Sequence, residues 1–103
     1  PSAYLALQSI AIANIAMERF DEAAAAARKT IDANTRFPMA YAWAIVSECG
    51  RGDKARIEEL VPPLLALMPG FKRDAIPTLF SYFPPAIRDK CQTLMRAQGI
   101  PAA

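Results

Sequence analysis

The sequence predicts an all-α fold in which antiparallel helix pairs stack as a short solenoid with a C-terminal capping helix. The main observation is an internal repeat. Residues 31–37 (IDANTRF) return in similar form at residues 65–71 (LALMPGF), which gives a period of about 34 residues. A period of this length is typical of a helix-turn-helix unit that buries its apolar face only by stacking on neighbouring units. The composition agrees, since 53% of the residues are hydrophobic and alanine, the best helix former, is abundant.

The length of 103 residues predicts a single domain. We expect two repeats, at about residues 4–37 and 38–71, followed by capping helices at about 72–98. Helices are predicted over residues 3–17, 21–33, 38–49, 53–68, 73–82 and 85–98, with no sheet. Because the chain opens at Pro1-Ser2 without methionine and enters an apolar helix at once, we expect it to be part of a longer protein.

The first predicted helix has apolar residues on more than one side, which is typical of a helix that packs on two neighbours. One neighbour is the second helix, whose run of alanines at 23–27 allows two backbones to approach closely. The other is a preceding repeat, so in its absence we expect Leu5, Ile12 or Ile15 to be exposed. Asp21 is predicted to cap the second helix.

The second unit begins at Pro38, a residue suited to the first turn of a helix, and Gly50 is predicted to stop its first helix. Asp53 is predicted to cap the next helix. Pro62-Pro63 lies inside that helix, where each proline removes a backbone donor, so we expect a kink or a break near Leu60.

The last predicted helix follows Phe83-Pro84-Pro85 and ends at Gly99, where a left-handed residue would close it. Its apolar stripe consists of Ile87, Cys91, Leu94 and Met95, with Gln98 continuing the line. A single stripe with polar residues on the other side is the pattern of a capping helix.

From about residue 4 to residue 71 the chain resembles the tetratricopeptide repeat family, and this resemblance implies that the solenoid is right-handed. The family's bulky, small, aromatic and alanine positions are matched in the first unit by Leu7, Ala11, Phe20 and Ala23. The sequence departs from the family at Glu18, where glycine is usual, and at Thr35, where proline is usual. In the second unit, alignment on the turn at 50–53 puts Ala55 at the alanine position, which makes the first helix two residues short and the second two residues long.

The segment from Gly70 to Pro101 resembles the C-terminal end of certain bacterial signalling proteins. In those proteins such repeats follow a class III adenylate or guanylate cyclase domain, or a winged-helix DNA-binding domain. The resemblance rests on the LALMPGF turn, the proline-led final helix and the closing Gly-Ile-Pro. It implies a C-terminal regulatory or scaffold region whose catalytic or DNA-binding domain lies upstream.

The residues of the chain give little indication of a catalytic, metal-binding or phosphate-binding site. The chain has no histidine, and its two cysteines, Cys49 and Cys91, lack the spacing of a metal-ligand pair. Its glycines match no phosphate-binding loop. Glu48 beside Cys49 has two interpretations, an acid next to a nucleophile or, as we favour, a helix-end acid next to a buried thiol. We therefore expect no enzyme activity, no cofactor and no metal in this chain.

Charge and hydropathy limit the partners in the same way. A net charge of +2 is too small for a nucleic-acid-binding face. The longest apolar stretch, at residues 3–17, is shorter than the ~20 residues that span a membrane. Two cysteines without a secretory signal favour buried thiols in a reducing, cytoplasmic compartment.

The family resemblance implies a protein-interaction module whose inner helices line a concave groove for a protein, a peptide or a neighbouring domain of the same chain. Transferred to this sequence, the groove positions are Leu5, Gln8, Ile12, Ile15, Met39, Ala42, Val46 and Cys49. They are mostly apolar, and the basic clamp that some members use for a carboxylate has no counterpart, so an apolar helix is expected rather than an acidic tail. The alternatives are a structural cap or dimerisation element acting through the first helix, and the sensor part of a winged-helix transcriptional regulator.

Overall fold

The computed structural model describes residues 3–68 and, beyond them, residues 84–86, 88, 89 and 93. The continuous part forms helices of 14 residues each, which are α1 (Ala3–Ala16), α2 (Phe20–Ala33), α3 (Pro38–Arg51) and α4 (Lys54–Leu67). No strand occurs within the described ranges, which confirms the all-helical prediction there. The helix predicted at 73–82 and most of the one predicted at 85–98 lie outside them.

Consecutive helices pack against each other, and α1 also contacts α3. The connections are short, at residues 17–19, 34–37 and 52–53, so α1 with α2 and α3 with α4 form two helical hairpins. The contact between α1 and α3 joins the first helices of the two hairpins. The right-handed solenoid remains a prediction.

The two hairpins repeat with the period that the sequence predicts. The separation between Phe20, where α2 begins, and Lys54, where α4 begins, equals the spacing of the two matching sequence segments. Four of the six buried positions of α2, namely Ala23, Ala26, Ala27 and Thr30, recur one period later at Ile57, Leu60, Val61 and Leu64. The other two, Phe20 and Ala24, have exposed counterparts in Lys54 and Glu58. The predicted shift in helix lengths is therefore wrong, as is the assignment of Ala55 to the alanine position. Ala55 is exposed, and Ile57 occupies the place of Ala23.

Each hairpin turns through the same backbone motif. At the end of α3, Gly52 has φ 77°, its N–H donates to Cys49 O (3.2 Å), and Asp53 N–H donates to Glu48 O (3.0 Å). This is a Schellman cap, in which a left-handed residue closes the helix. Gly50 is helical, so the prediction that it stops the helix is wrong by two residues.

At the end of α1 the left-handed position is taken by Glu18, with φ 57°. Glu18 occupies in the first hairpin the position that Gly52 occupies in the second. Glu18 N–H donates to Ile15 O (2.9 Å) and Arg19 N–H to Asn14 O (2.8 Å), which reproduces the Schellman pattern. The departure from glycine noted in the sequence therefore falls at the residue where a side chain is most strained.

The two second helices differ in their caps. Asp53 caps α4 as predicted, because its Oδ1 accepts from Arg56 N–H (3.0 Å). The prediction for Asp21 is wrong, since α2 begins one residue earlier, at Phe20, and its capping residue Arg19 makes no side-chain cap bond. Asp21 lies in the first turn of α2 and accepts from the Arg51 guanidinium at 2.9 Å.

Helix α4 runs through Pro62 and Pro63 without interruption and continues to Leu67. The predicted break near Leu60 is therefore wrong, and the kink stays a prediction. Leu60, Val61 and Leu64 are buried on both sides of the proline pair, so tertiary packing holds the helix together where local preference opposes it.

Small residues set the distance between α2 and its neighbours. Ala11 of α1 and Ala23 and Ala27 of α2 are all fully buried. A Cβ atom added to Gly50 of α3 would overlap the ring of Phe20 at the start of α2. The ring lies against the backbone of α3, and this contact accounts for glycine within the helix.

Replacing Glu18 by glycine should stabilise the chain by up to about 1 kcal/mol, because glycine adopts the left-handed conformation without strain. Urea unfolding measures the change. The matched control is Glu22→Gly, in the first turn of α2, where glycine should cost ~0.5–1 kcal/mol. Equal losses from the two substitutions would contradict the strain assigned to Glu18.

Candidate interaction surface

The first helices of the two hairpins differ from the second helices in charge. Neither α1 nor the stretch of α3 at residues 38–47 contains an acidic or basic residue. The charged residues between positions 3 and 68 lie on α2, on α4, in the turns and at the C-terminal end of α3. The surface along α1 and the beginning of α3 is consequently uncharged.

The structure divides the predicted groove residues into two groups. Ile15, Ala42, Val46 and Cys49 are fully buried and belong to the hydrophobic core. Leu5 is 46% exposed, and Gln8, Ile12 and Met39 are half-buried. Ile12 and Met39 also pack against the edge of the core. Partner binding stays a prediction, and the side chains accessible for it are Leu5, Gln8, Ile12 and Met39, which we call the inner surface.

A hydrogen bond between Gln8 and Trp43 joins α1 to α3. Trp43 Nε1–H donates to Gln8 Oε1 at 3.2 Å, while the indole is 8% exposed. A largely buried indole is held in one orientation when its N–H has an acceptor. The bond therefore fixes α1 against α3 beside Ile12 and Met39. No local pattern indicates it, because the two residues are 35 positions apart in the sequence.

Aromatic residues border the N-terminal end of the inner surface. The rings of Tyr4 and Phe37 are in edge contact, with centroids 5.0 Å apart and an interplanar angle of 63°. Tyr41 Oη donates to the carbonyl of Thr35 at 3.0 Å, which ties α3 to the loop before it. These contacts hold the loop at 34–37 against the start of α1.

The opposite side of α1 is open to solvent. Ile10 is 50% exposed there, and Met17, the residue directly after α1, is 54% exposed. The exposure predicted for this helix is confirmed at Leu5, whereas Ile12 is half-buried and Ile15 is fully buried. Ile15 is covered because it faces the other helices together with Ala11, the other buried residue of α1.

Glu48 is buried, at 2% exposure, and lies among arginines from three helices. Arg51 Nη1 donates to its carboxylate at 2.7 Å, and Arg28 of α2 and Arg56 of α4 each approach within 3.9 Å. The hydrogen bond and charge of Glu48, followed by those of Asp21, raise the pKa of Arg51. This ion-pair cluster, together with the burial of Cys49, favours the structural interpretation of the Glu48-Cys49 pair.

Within the described residues no three potential metal ligands lie together, and no enclosed pocket is present. None of the helices in that part of the chain has the length and apolar character needed to cross a bilayer.

The substitution Gln8→Ala should destabilise the chain by ~1 kcal/mol, because it removes the acceptor of a buried indole N–H. Urea unfolding followed by the fluorescence of Trp43, the single tryptophan, measures this loss. Ser9→Ala is the control, since the Ser9 hydroxyl is exposed and donates only to Leu5 O of its own helix. A loss no larger for Gln8→Ala than for Ser9→Ala would contradict the role of the Gln8–Trp43 bond.

Comparison of the chain with protein-family models, curated proteins and solved structures finds no match. The resemblance to tetratricopeptide repeats therefore rests on particular residues. Of these residues, Ala11, Phe20 and Ala23 are buried in the core and Leu7 is half-buried, and membership of the family stays a prediction.

Proposed function

We propose that the chain is a non-catalytic protein-interaction module of the tetratricopeptide type. In this proposal it is the C-terminal regulatory or scaffold part of a larger bacterial signalling protein in the cytoplasm, such as an adenylate or guanylate cyclase. The two hairpins are the last repeats of a right-handed solenoid. The inner surface binds a protein segment or a neighbouring domain of the same chain.

The observation that supports this proposal best is the absence of charged side chains on α1 and on the first ten residues of α3, residues 38–47. Over residues 3–17 and 37–47 an approaching partner meets no side chain able to pair with a carboxylate or an ammonium group. Such a surface favours the apolar side of an amphipathic helix, because burying a charge without a counter-charge is costly. Leu5, Ile12 and Met39 supply apolar contacts, and Gln8 supplies a polar group between them.

The alternative is that these helices are a structural cap or dimerisation element, or the sensor of a winged-helix regulator. The observation in favour of the dimerisation element is the exposed outer side of α1, with Ile10 and Met17 half exposed. Ile10 belongs to this outer side and not to the inner surface, so its substitution tests dimerisation separately from peptide binding.

Selection of random 16-residue peptides displayed on phage tests the proposal without knowledge of the partner. We expect the 103-residue chain to enrich peptides with apolar residues at i, i+3 or i+4 and i+7, the pattern of a helix in a groove. Their affinity should fall at least about tenfold for Leu5→Glu combined with Ile12→Gln, because an introduced charge would be buried unpaired.

Ala55→Glu is the matched control, because Ala55 is exposed on α4, a helix that carries no residue of the inner surface. It should leave the affinity of the selected peptides unchanged. Enrichment of acidic C-terminal peptides, or peptides that bind the doubly substituted chain as well as the parent, would contradict the proposed surface.

A further inference from the structure

We propose that the outer face of α1 binds the same face of a second copy of this chain, as an antiparallel helix pair around a two-fold axis. The outer face consists of Ala3, Ala6, Ser9, Ile10, Ala13, Ala16 and Met17, all exposed. Leu5 and Ile12, which border this face, also belong to the inner surface, but dimerisation does not require a peptide to bind there.

The outer face has the shape that a second helix requires. Ala6, Ser9, Ala13 and Ala16 follow one another at intervals of three, four and three residues, so they form a straight line along α1. Larger side chains border this line, with Ile10 and Met17 on one side and Leu5 and Ile12 on the other. Small side chains between larger ones let a second helix approach closely and bury the flanking apolar groups.

Charge argues for a second copy as the occupant. Across a two-fold axis a surface meets itself, so every charged side chain near the axis would face its own sign. The outer face carries no charge at any position, and the polar group of Ser9 is already satisfied by Leu5 O at 3.1 Å. By comparison, the exposed side of α2 is charged, since it carries Asp21, Glu22 and Lys29.

The spacing also sets the direction of the pair. In an antiparallel arrangement, the two-fold axis passes at the level of Ala11 along the helix, although the Ala11 side chain itself faces the core. Ala6 then faces Ala16 of the second copy and Ser9 faces its Ala13, so small residues meet small residues. Ile10 then lies close to Ile10 of the other chain beside the axis. The antiparallel direction also brings opposite ends of the two helix dipoles together.

The size of the face predicts a weak dimer. A helix of 14 residues is about 21 Å long. One pair of this length would bury on the order of 1,000 Å² in total, at the low end of specific interfaces. We expect association of the 103-residue chain in the micromolar to submillimolar range.

Sedimentation equilibrium of the 103-residue chain between about 10 µM and 1 mM tests the proposal, with dimer content expected to rise over this range. Ala13→Arg should weaken dimerisation at least about tenfold, because it blocks close approach and places like charges beside the axis. Ala25→Arg, at an exposed alanine of α2, is the matched control and should dimerise like the parent. A parent that remains monomeric, or equal behaviour of the two variants, would overturn the proposal.

Cross-linking tests the antiparallel direction without introducing a charge. Under mild oxidation Ile10→Cys should form a disulfide-linked dimer, because the two substituted residues lie beside the axis. Ala25→Cys, which retains the same native cysteines, should not. Similar amounts of linked dimer for both variants would overturn the assigned geometry.

Discussion

The buried carboxylate of Glu48 is the constraint on which the arrangement of α2, α3 and α4 depends. A charge removed from water requires counter-charges and hydrogen bonds, and without them it costs several kcal/mol. Arg51 supplies the direct bond, at 2.7 Å, while Arg28 and Arg56 bring positive charge from the helices on either side. Because Arg51 also binds Asp21 at 2.9 Å, the same group joins the end of α3 to the start of α2.

The small residues act together with this cluster. Ala23 and Ala27 let α2 lie close to its neighbours, and Gly50 admits the ring of Phe20 against α3. In α4 the positions equivalent to the two alanines hold larger side chains. The repeat therefore preserves four of the six buried positions of α2 while changing their side chains, and α2 packs against both α1 and α3. Helix α1 completes the first hairpin but leaves its outer face uncovered.

Local sequence rules predicted the helices well because most of their signals are local. Asp53 caps α4 as predicted, and the boundaries of α1 to α4, the helices within residues 3–68, differ from prediction by no more than two residues. The errors share a cause. Gly50 and the Pro62-Pro63 pair were assigned from intrinsic preference, yet tertiary contacts keep all three within helices. Glu18 shows the converse, because the backbone needs a left-handed residue where the sequence has a side chain.

The candidate surfaces were only partly predictable. The apolar character of α1 was evident in the sequence, and so was the exposure of Leu5. Which groove positions would be buried depends on the rotation of α1 and α3, and no local pattern defines that rotation. The Glu48 cluster also escaped prediction, since Arg28 is distant from Glu48 in the sequence and lies on another helix. The paired Gln8 and Trp43 belong to the same class of long-range contact.

The pairing of Glu48 with Arg51 stabilises the folded chain because each residue needs the other. A double-mutant cycle tests this dependence most directly. The free energy of unfolding would be measured for Glu48→Gln, Arg51→Met and the two combined. We predict that the double substitution costs at least about 1 kcal/mol less than the sum of the single ones, because each single change leaves a group without its partner. Additive losses would contradict the account.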